Sequence, residues 1–99
     1  MLNILKNVNG SELKLILEGR LDTATAPQLE AALNSALSGV TTLKFDIEKL
    51  DYISSAGLRV LLSSQKTMNK QGSMIISNVS PEVKEIFDVT GFTDILTIE

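Results

Sequence analysis

The sequence contains no cysteine, no histidine and no tryptophan. Thiolate nucleophiles, imidazole bases, disulfides and most zinc and copper sites are excluded together. Aromatic residues are only 4% of the chain, so a core has to be assembled from Leu, Ile, Val and Ala. Positive charge is in short supply: nine Lys and Arg stand against twelve Asp and Glu, a net charge of −3. The basic residues are scattered without forming a stripe, which argues against nucleic acid as a partner. No apolar run approaches the roughly 20 residues of a membrane span, and Met1–Lys6 is too short an apolar stretch for a secretory leader. The expectation is a cytoplasmic protein with no membrane, nucleic-acid, metal or cofactor partner.

What is present is an ordinary globular mixture, 43% hydrophobic and 21% charged over 99 residues, without repeats, linkers or low-complexity segments. One domain over residues 1–99 is expected. Residues 2–8 and 11–18 are β-prone and flank Asn9-Gly10, a hairpin signal. Leu13, Leu15 and Leu17 alternate with Glu12, Lys14, Ile16 and Glu18, giving one apolar and one mostly wet face. Gly19-Arg20-Leu21-Asp22 then reads as a break into a loop. Thr25-Ala26-Pro27-Gln28 opens a helix, with Thr25 and Gln28 predicted to form a capping box. Its apolar stripe is Ala26, Leu29, Ala32, Leu33, Ala36 and Leu37, and Gly39 ends it.

Leu43–Ile47 alternates as a strand, and Leu50, Tyr52 and Ile53 carry the apolar series onward. A second helix is predicted from about Ala56 to Asn69, with Leu58, Leu61, Leu62 and Met68 inward and Arg59, Gln65, Lys66 and Lys70 largely outward. Met74-Ile75-Ile76 suits an interior strand. Ser80-Pro81-Glu82 opens a third helix, closed by Gly91, and Ile95–Ile98 is a predicted last strand. The order ββαβαβαβ describes an α/β fold: a mixed sheet with an N-terminal hairpin. Right-handed crossovers put three helices mainly on one face.

The chain is organised around Asp51-Tyr52-Ile53-Ser54-Ser55-Ala56-Gly57-Leu58, a strand end, a two-serine corner and a nearly bare helix start. Such a start leaves backbone N–H groups unpaired and carries partial positive charge. Three roles fit it. Ser54 or Ser55 can be a plain N-cap. A serine nucleophile would need a base, and without histidine only Lys or a carboxylate such as Asp22, Asp46 or Asp51 is on offer. The residues before Ser55 also lack the glycine-flanked serine elbow of hydrolases. Finally, a serine at a helix start can accept a phosphate, whose charge of about −1.5 to −2 the free N–H groups tolerate. Gly57, costly in a first turn, points to a close approach by a ligand or to tight packing against Gly19 or another loop.

Taken together, Gly19-Arg20-Leu21-Asp22, Leu43-Lys44-Phe45-Asp46 and Ile53-Ser54-Ser55-Ala56-Gly57-Leu58 resemble the STAS domain of bacterial anti-sigma factor antagonists. The resemblance covers essentially the whole chain. It implies a STAS-like fold and a non-enzymatic partner switch. The unmodified antagonist binds an anti-sigma factor that is also a serine-protein kinase; phosphorylation releases it, and a metal-dependent phosphatase of the PP2C type resets it. The family motif Asp-Ser-(Ser/Thr)-Gly-Leu carries its phosphoacceptor onto Ser55, with Ser54 in reserve. It implies partner contacts at Asp22, Thr23, Ser54, Ser55, Ala56, Gly57 and Leu58. Two positions depart: Ser54 stands where the motif has Asp, and Ala56 removes the second hydroxyl. Asp22 is equally readable as the cap of a turn, and Asp46 as a loop-fixing residue. The alternative role is a non-switching assembly module, such as the STAS subunit of a lipid-transport ATPase.

Overall fold

A computed structural model describes all residues from Met1 to Glu99. Two antiparallel strands, β1 (Leu2–Asn9) and β2 (Glu12–Leu21), open the fold. Asn9 pairs with Glu12, so the two loop residues are Gly10 and Ser11, one position beyond the expected Asn9-Gly10. Gly10 at φ 63° is the first of the two central residues, the position a type II′ turn reserves for glycine. The chain then crosses through α1 (Ala26–Ala36) to β3 (Thr42–Ile53), and through α2 (Ser55–Gln71) to β4 (Ser73–Ser77). β2, β3 and β4 are parallel, and the sheet order is β1-β2-β3-β4. Because the order advances steadily, right-handed crossovers carry both helices to the same face. The last helix, α3 (Pro81–Thr90), packs against β3.

The covered face is apolar by alternation. Leu13, Leu15, Leu17 and Leu21 of β2 are fully buried, and so are Leu43, Phe45 and Ile47 of β3. They meet Leu29 and Leu33 of α1, Leu58, Leu61 and Met68 of α2, and Val83 and Phe87 of α3 in one core cluster. Each such side chain contributes about 1.5–3 kcal/mol by leaving water. The opposite face of the sheet stays in contact with solvent and carries the ion pairs Lys14–Asp46 (4.0 Å) and Lys49–Glu18 (3.6 Å).

Besides the turn, further sequence expectations change. Gln65 of α2, expected outward, is buried and donates to Asn69 (2.8 Å). β2 does not break at Gly19 but continues to Leu21. Gly19 sits at φ 102°, and a Cβ there would collide with the Met1 carbonyl oxygen, so the glycine admits the N-terminus rather than ending the strand. β3 does not stop at Ile47 but runs on to Ile53, because two register shifts against β2 absorb its extra residues. Those bulges are why the buried series steps from Ile47 to Leu50 to Ile53 instead of alternating. Asp46 lies within β3, and its carboxylate accepts from the Glu48 N–H (3.1 Å) beside the first shift.

The Thr25–Gln28 capping box is absent. Thr25 has helical backbone angles, so its hydroxyl turns back to accept from the Asp22 N–H and lies 2.8 Å from the Arg20 carbonyl. Gln28 instead donates to the Leu2 carbonyl (3.1 Å). Finally, Ile95–Ile98 is not a full strand. A 3-10 turn over Phe92–Asp94 draws the Leu96 N–H back to Phe92, leaving one parallel bridge between Ile76 and Ile98.

Candidate functional site

The parallel strands β2 and β3 end side by side, Arg20 opposite Tyr52 and Leu21 opposite Ile53. One further bond, from the Ser54 N–H to the Leu21 carbonyl (2.8 Å), ties the serine corner to the end of β2. Open α/β folds bind their ligands beyond such carboxyl ends. Ser54 is extended (φ −96°, ψ 175°) and caps α2: its hydroxyl accepts from the Gly57 N–H at 3.4 Å and its carbonyl from the Leu58 N–H at 2.9 Å. The N–H groups of Ser55 and Ala56 precede any helical acceptor and have no partner in the fold. No acidic side chain occupies the first turn to offset the helix dipole.

Ser55 is the first residue of α2; it is exposed, and its hydroxyl makes no bond within the chain. Ser54, half-buried and engaged in the cap, is the less available of the two. Helix α2 therefore starts at Ser55, one residue before the expected Ala56. Gly57 is buried, and a Cβ there would stand 2.6 Å from Leu21 Cγ and 2.9 Å from Ile53 Cγ1. Of the two explanations for this glycine, packing against the strand ends is the one the fold contains. Leu58 is only 5% exposed. Gly57 and Leu58 thus leave the set of expected partner-facing residues, because both are used to seat the corner on the core.

The loop after β2 forms the other rim. The Asp22 carboxylate accepts from the N–H groups of Ala24 (3.0 Å) and Thr25 (3.1 Å), and Arg20 lies 3.7 Å away. The bond from the Thr25 backbone is the main cause that holds the Asp22 pKa below its ordinary value. Asp22 is the cap of this turn, as its alternative reading had it, and its carboxylate is committed to the loop. Thr23 is left exposed at the tip. Arg20 also stacks over the Tyr52 ring at 4.5 Å, bracing the two strand ends across the open face.

The fold brings Asp22, Thr23, Ser54, Ser55 and Ala56 to one rim, with Gly57 and Leu58 beneath it. A shallow groove leads away between α1 and α2, where Thr23, Pro27 and Glu30 face Ala56 and Arg59. Sequence reasoning gave Arg59 no role beyond facing outward; its spacing of four residues from Ser55 was the signal available. No group of three carboxylates converges to hold a metal ion, and no helix is long and apolar enough to cross a membrane.

The chain and its fold are similar to those of known proteins. The STAS domain family model matches residues 3–99. The Bordetella bronchiseptica protein BtrV, which carries the name of an anti-sigma factor antagonist, is 39% identical over 83% of this chain and 72% of its own. The anti-sigma-B factor antagonist of Bacillus subtilis is 29% identical over 98% of this chain and 90% of its own. The anti-sigma factor antagonist SpoIIAA, from Bacillus, has solved structures in two forms, each 23% identical to this chain. The unphosphorylated form matches with a TM-score of 0.78 over 98% of this chain and 87% of its own. The phosphorylated form matches at 0.76 over 98% and 91%.

Proposed function

Starting from the fact that the chain belongs to the STAS domain family, we propose that it is a cytoplasmic, non-enzymatic anti-sigma factor antagonist whose partner binding is switched by phosphorylation of Ser55. The observation that carries this reading is the exposed, unbonded Ser55 hydroxyl at a helix start whose first two N–H groups are free. In the unmodified state the rim of Thr23, Ser54, Ser55 and Ala56, with Asp22 behind it, meets an anti-sigma factor that is also a serine-protein kinase. The kinase transfers the γ-phosphoryl group of ATP to Ser55 Oγ. ADP leaves, and the serine proton passes to a base of the kinase, so this chain supplies no catalytic group. The added charge of about −1.5 to −2 is stabilised from below by the helix end, while any protein docked above it is repelled. A PP2C-type phosphatase hydrolyses the phosphoserine and restores the hydroxyl.

That the same fold accommodates a phosphorylated and an unphosphorylated form in SpoIIAA supports the reading. The position of Ser54 inside the cap favours Ser55 over it as the acceptor. The test is capture from native lysate on immobilised wild type, Ser55→Ala and Ser55→Asp, with and without ATP, with bound proteins identified by mass. A kinase-type partner should stay on Ser55→Ala in the presence of ATP, leave the wild type, and bind Ser55→Asp poorly. Equal retention by all three overturns the switch, and stoichiometric capture of an ATPase assembly regardless of ATP would assign the chain to an assembly module instead.

A further inference from the structure

We infer that Arg59 is the intramolecular partner of a phosphate on Ser55, so that the modified corner closes on its own cation. The inference rests on the phosphorylation reading above and adds the residue that holds the phosphate. Ser55 and Arg59 lie four residues apart in α2, and both are exposed. Side chains at that spacing are neighbours on a helix surface, with Cβ atoms about 5–6 Å apart. From there a guanidinium can present two N–H groups to two phosphate oxygens.

Arg59 is also uncommitted. Lys14, Arg20, Lys49 and Lys84 each hold an ion pair with a carboxylate, and Arg59 holds none. The charged groups around it do not compete strongly. Glu30 of α1 lines the same groove without pairing with it. Asp22, in the loop before α1, is held by Ala24, Thr25 and Arg20. Asp51, near the end of β3, is exposed to solvent. A phosphate on Ser55 therefore meets free backbone N–H groups on one side and an unpaired guanidinium on the other.

This changes what the modification does to the surface. Besides adding bulk and negative charge, it withdraws the one basic side chain of the groove from any partner carboxylate. Release then follows from a lost contact as well as from a new repulsion.

The test uses the full chain with phosphoserine installed co-translationally at position 55, which needs no kinase. The second ionisation of the phosphate is followed by phosphorus NMR against pH. A nearby cation favours the dianion, so the second pKa in the Arg59 chain should lie about 0.3–0.7 of a pH unit below that in Arg59→Gln, the scale of an exposed ion pair. Arg59→Lys should fall between them. Lys66→Gln is the control for net charge, because eleven residues along the helix place it about 16 Å away, beyond the screening length of about 8–10 Å. Identical titrations with and without Arg59, or an equal shift from Lys66→Gln, overturn the inference. Because the phosphate is supplied, a negative result counts against Arg59 alone; absence of phosphate on Ser55 in the native protein would count against the switch itself.

Discussion

The starts of α2 and α3 are built on one plan and finished differently. Each is capped by a serine in the extended region, Ser54 and Ser80, whose hydroxyl accepts from the third helical N–H at 3.4 Å and 3.3 Å respectively. After the cap, α3 has Pro81, which has no N–H to leave unpaired, then Glu82, whose charge offsets the dipole, then Val83, which is buried. At the same three positions α2 has Ser55, Ala56 and Gly57. One start is completed by its own side chains. The other holds a hydroxyl where α3 has a proline, lacks the acid, and has a glycine where α3 has a buried valine. The difference teaches that α2 is left electrostatically open at its tip and tightly seated at its base. On the phosphorylation reading, a charge added there is expected to leave the helix in place.

Exchanging the features of the two starts should break the contrast in a graded way. The largest effect is expected at the third position. Gly57→Ala should destabilise by about 1–3 kcal/mol, because the new Cβ meets Leu21 and Ile53. Gly57→Val, the residue α3 carries there, should cost more still; urea unfolding midpoints check both. Next come the caps: Ser54→Ala and Ser80→Ala should each cost about 0.5–2 kcal/mol, and similar losses would confirm that the two capping bonds are equivalent. Smaller changes belong to charge. Ser55→Asp should raise the melting temperature slightly and Glu82→Gln lower it, each by about 0.3–1 kcal/mol in stability, with both differences shrinking in high salt.

The acids beside each helix give a further contrast in pH. Asp22 is held below its ordinary pKa chiefly by the Thr25 backbone bond, and Asp88 of α3 chiefly by the Thr93 hydroxyl, with Lys84 next. A carboxylate with a lowered folded pKa contributes stability above its unfolded value, and that contribution is lost as pH falls through the folded value. The deficit of Asp22→Asn relative to wild type should therefore be present at pH 7 and fade as pH drops below the ordinary 3.8. A deficit that persists unchanged at low pH would remove the charged Asp22 from the account of how the rim is held.

How much of this was legible in sequence depended on how local the cause was. The serine corner and the Ser80-Pro81 start were readable because capping and proline preference act within a few residues. The mixed sheet, the hairpin and the placement of the helices on one face followed from alternation and crossover rules. The apolar series pointed to a strand end at Ile53. The bulges that carry β3 there were not legible, since they change the period from two to three without any composition signal. The capping box at Thr25 failed because the Asp22 turn, formed with a strand end, claimed the threonine first. Gly57 could be flagged as odd from its position, but its reason lies in Leu21, 36 residues earlier in the chain. Arg59 was overlooked for a related reason: an expected helix start at Ala56 leaves Ser55 outside the helix and hides their shared face.

The most direct measurement is peptide mapping of the protein isolated from its native cells. Trypsin should release Leu50–Arg59, which contains both serines of the corner, and fragmentation separates Ser54 from Ser55. The account predicts a single phosphate on that peptide, localised to Ser55, in the fraction free of partner, and an unmodified peptide in the partner-bound fraction. An unmodified Ser55 in both fractions would contradict it.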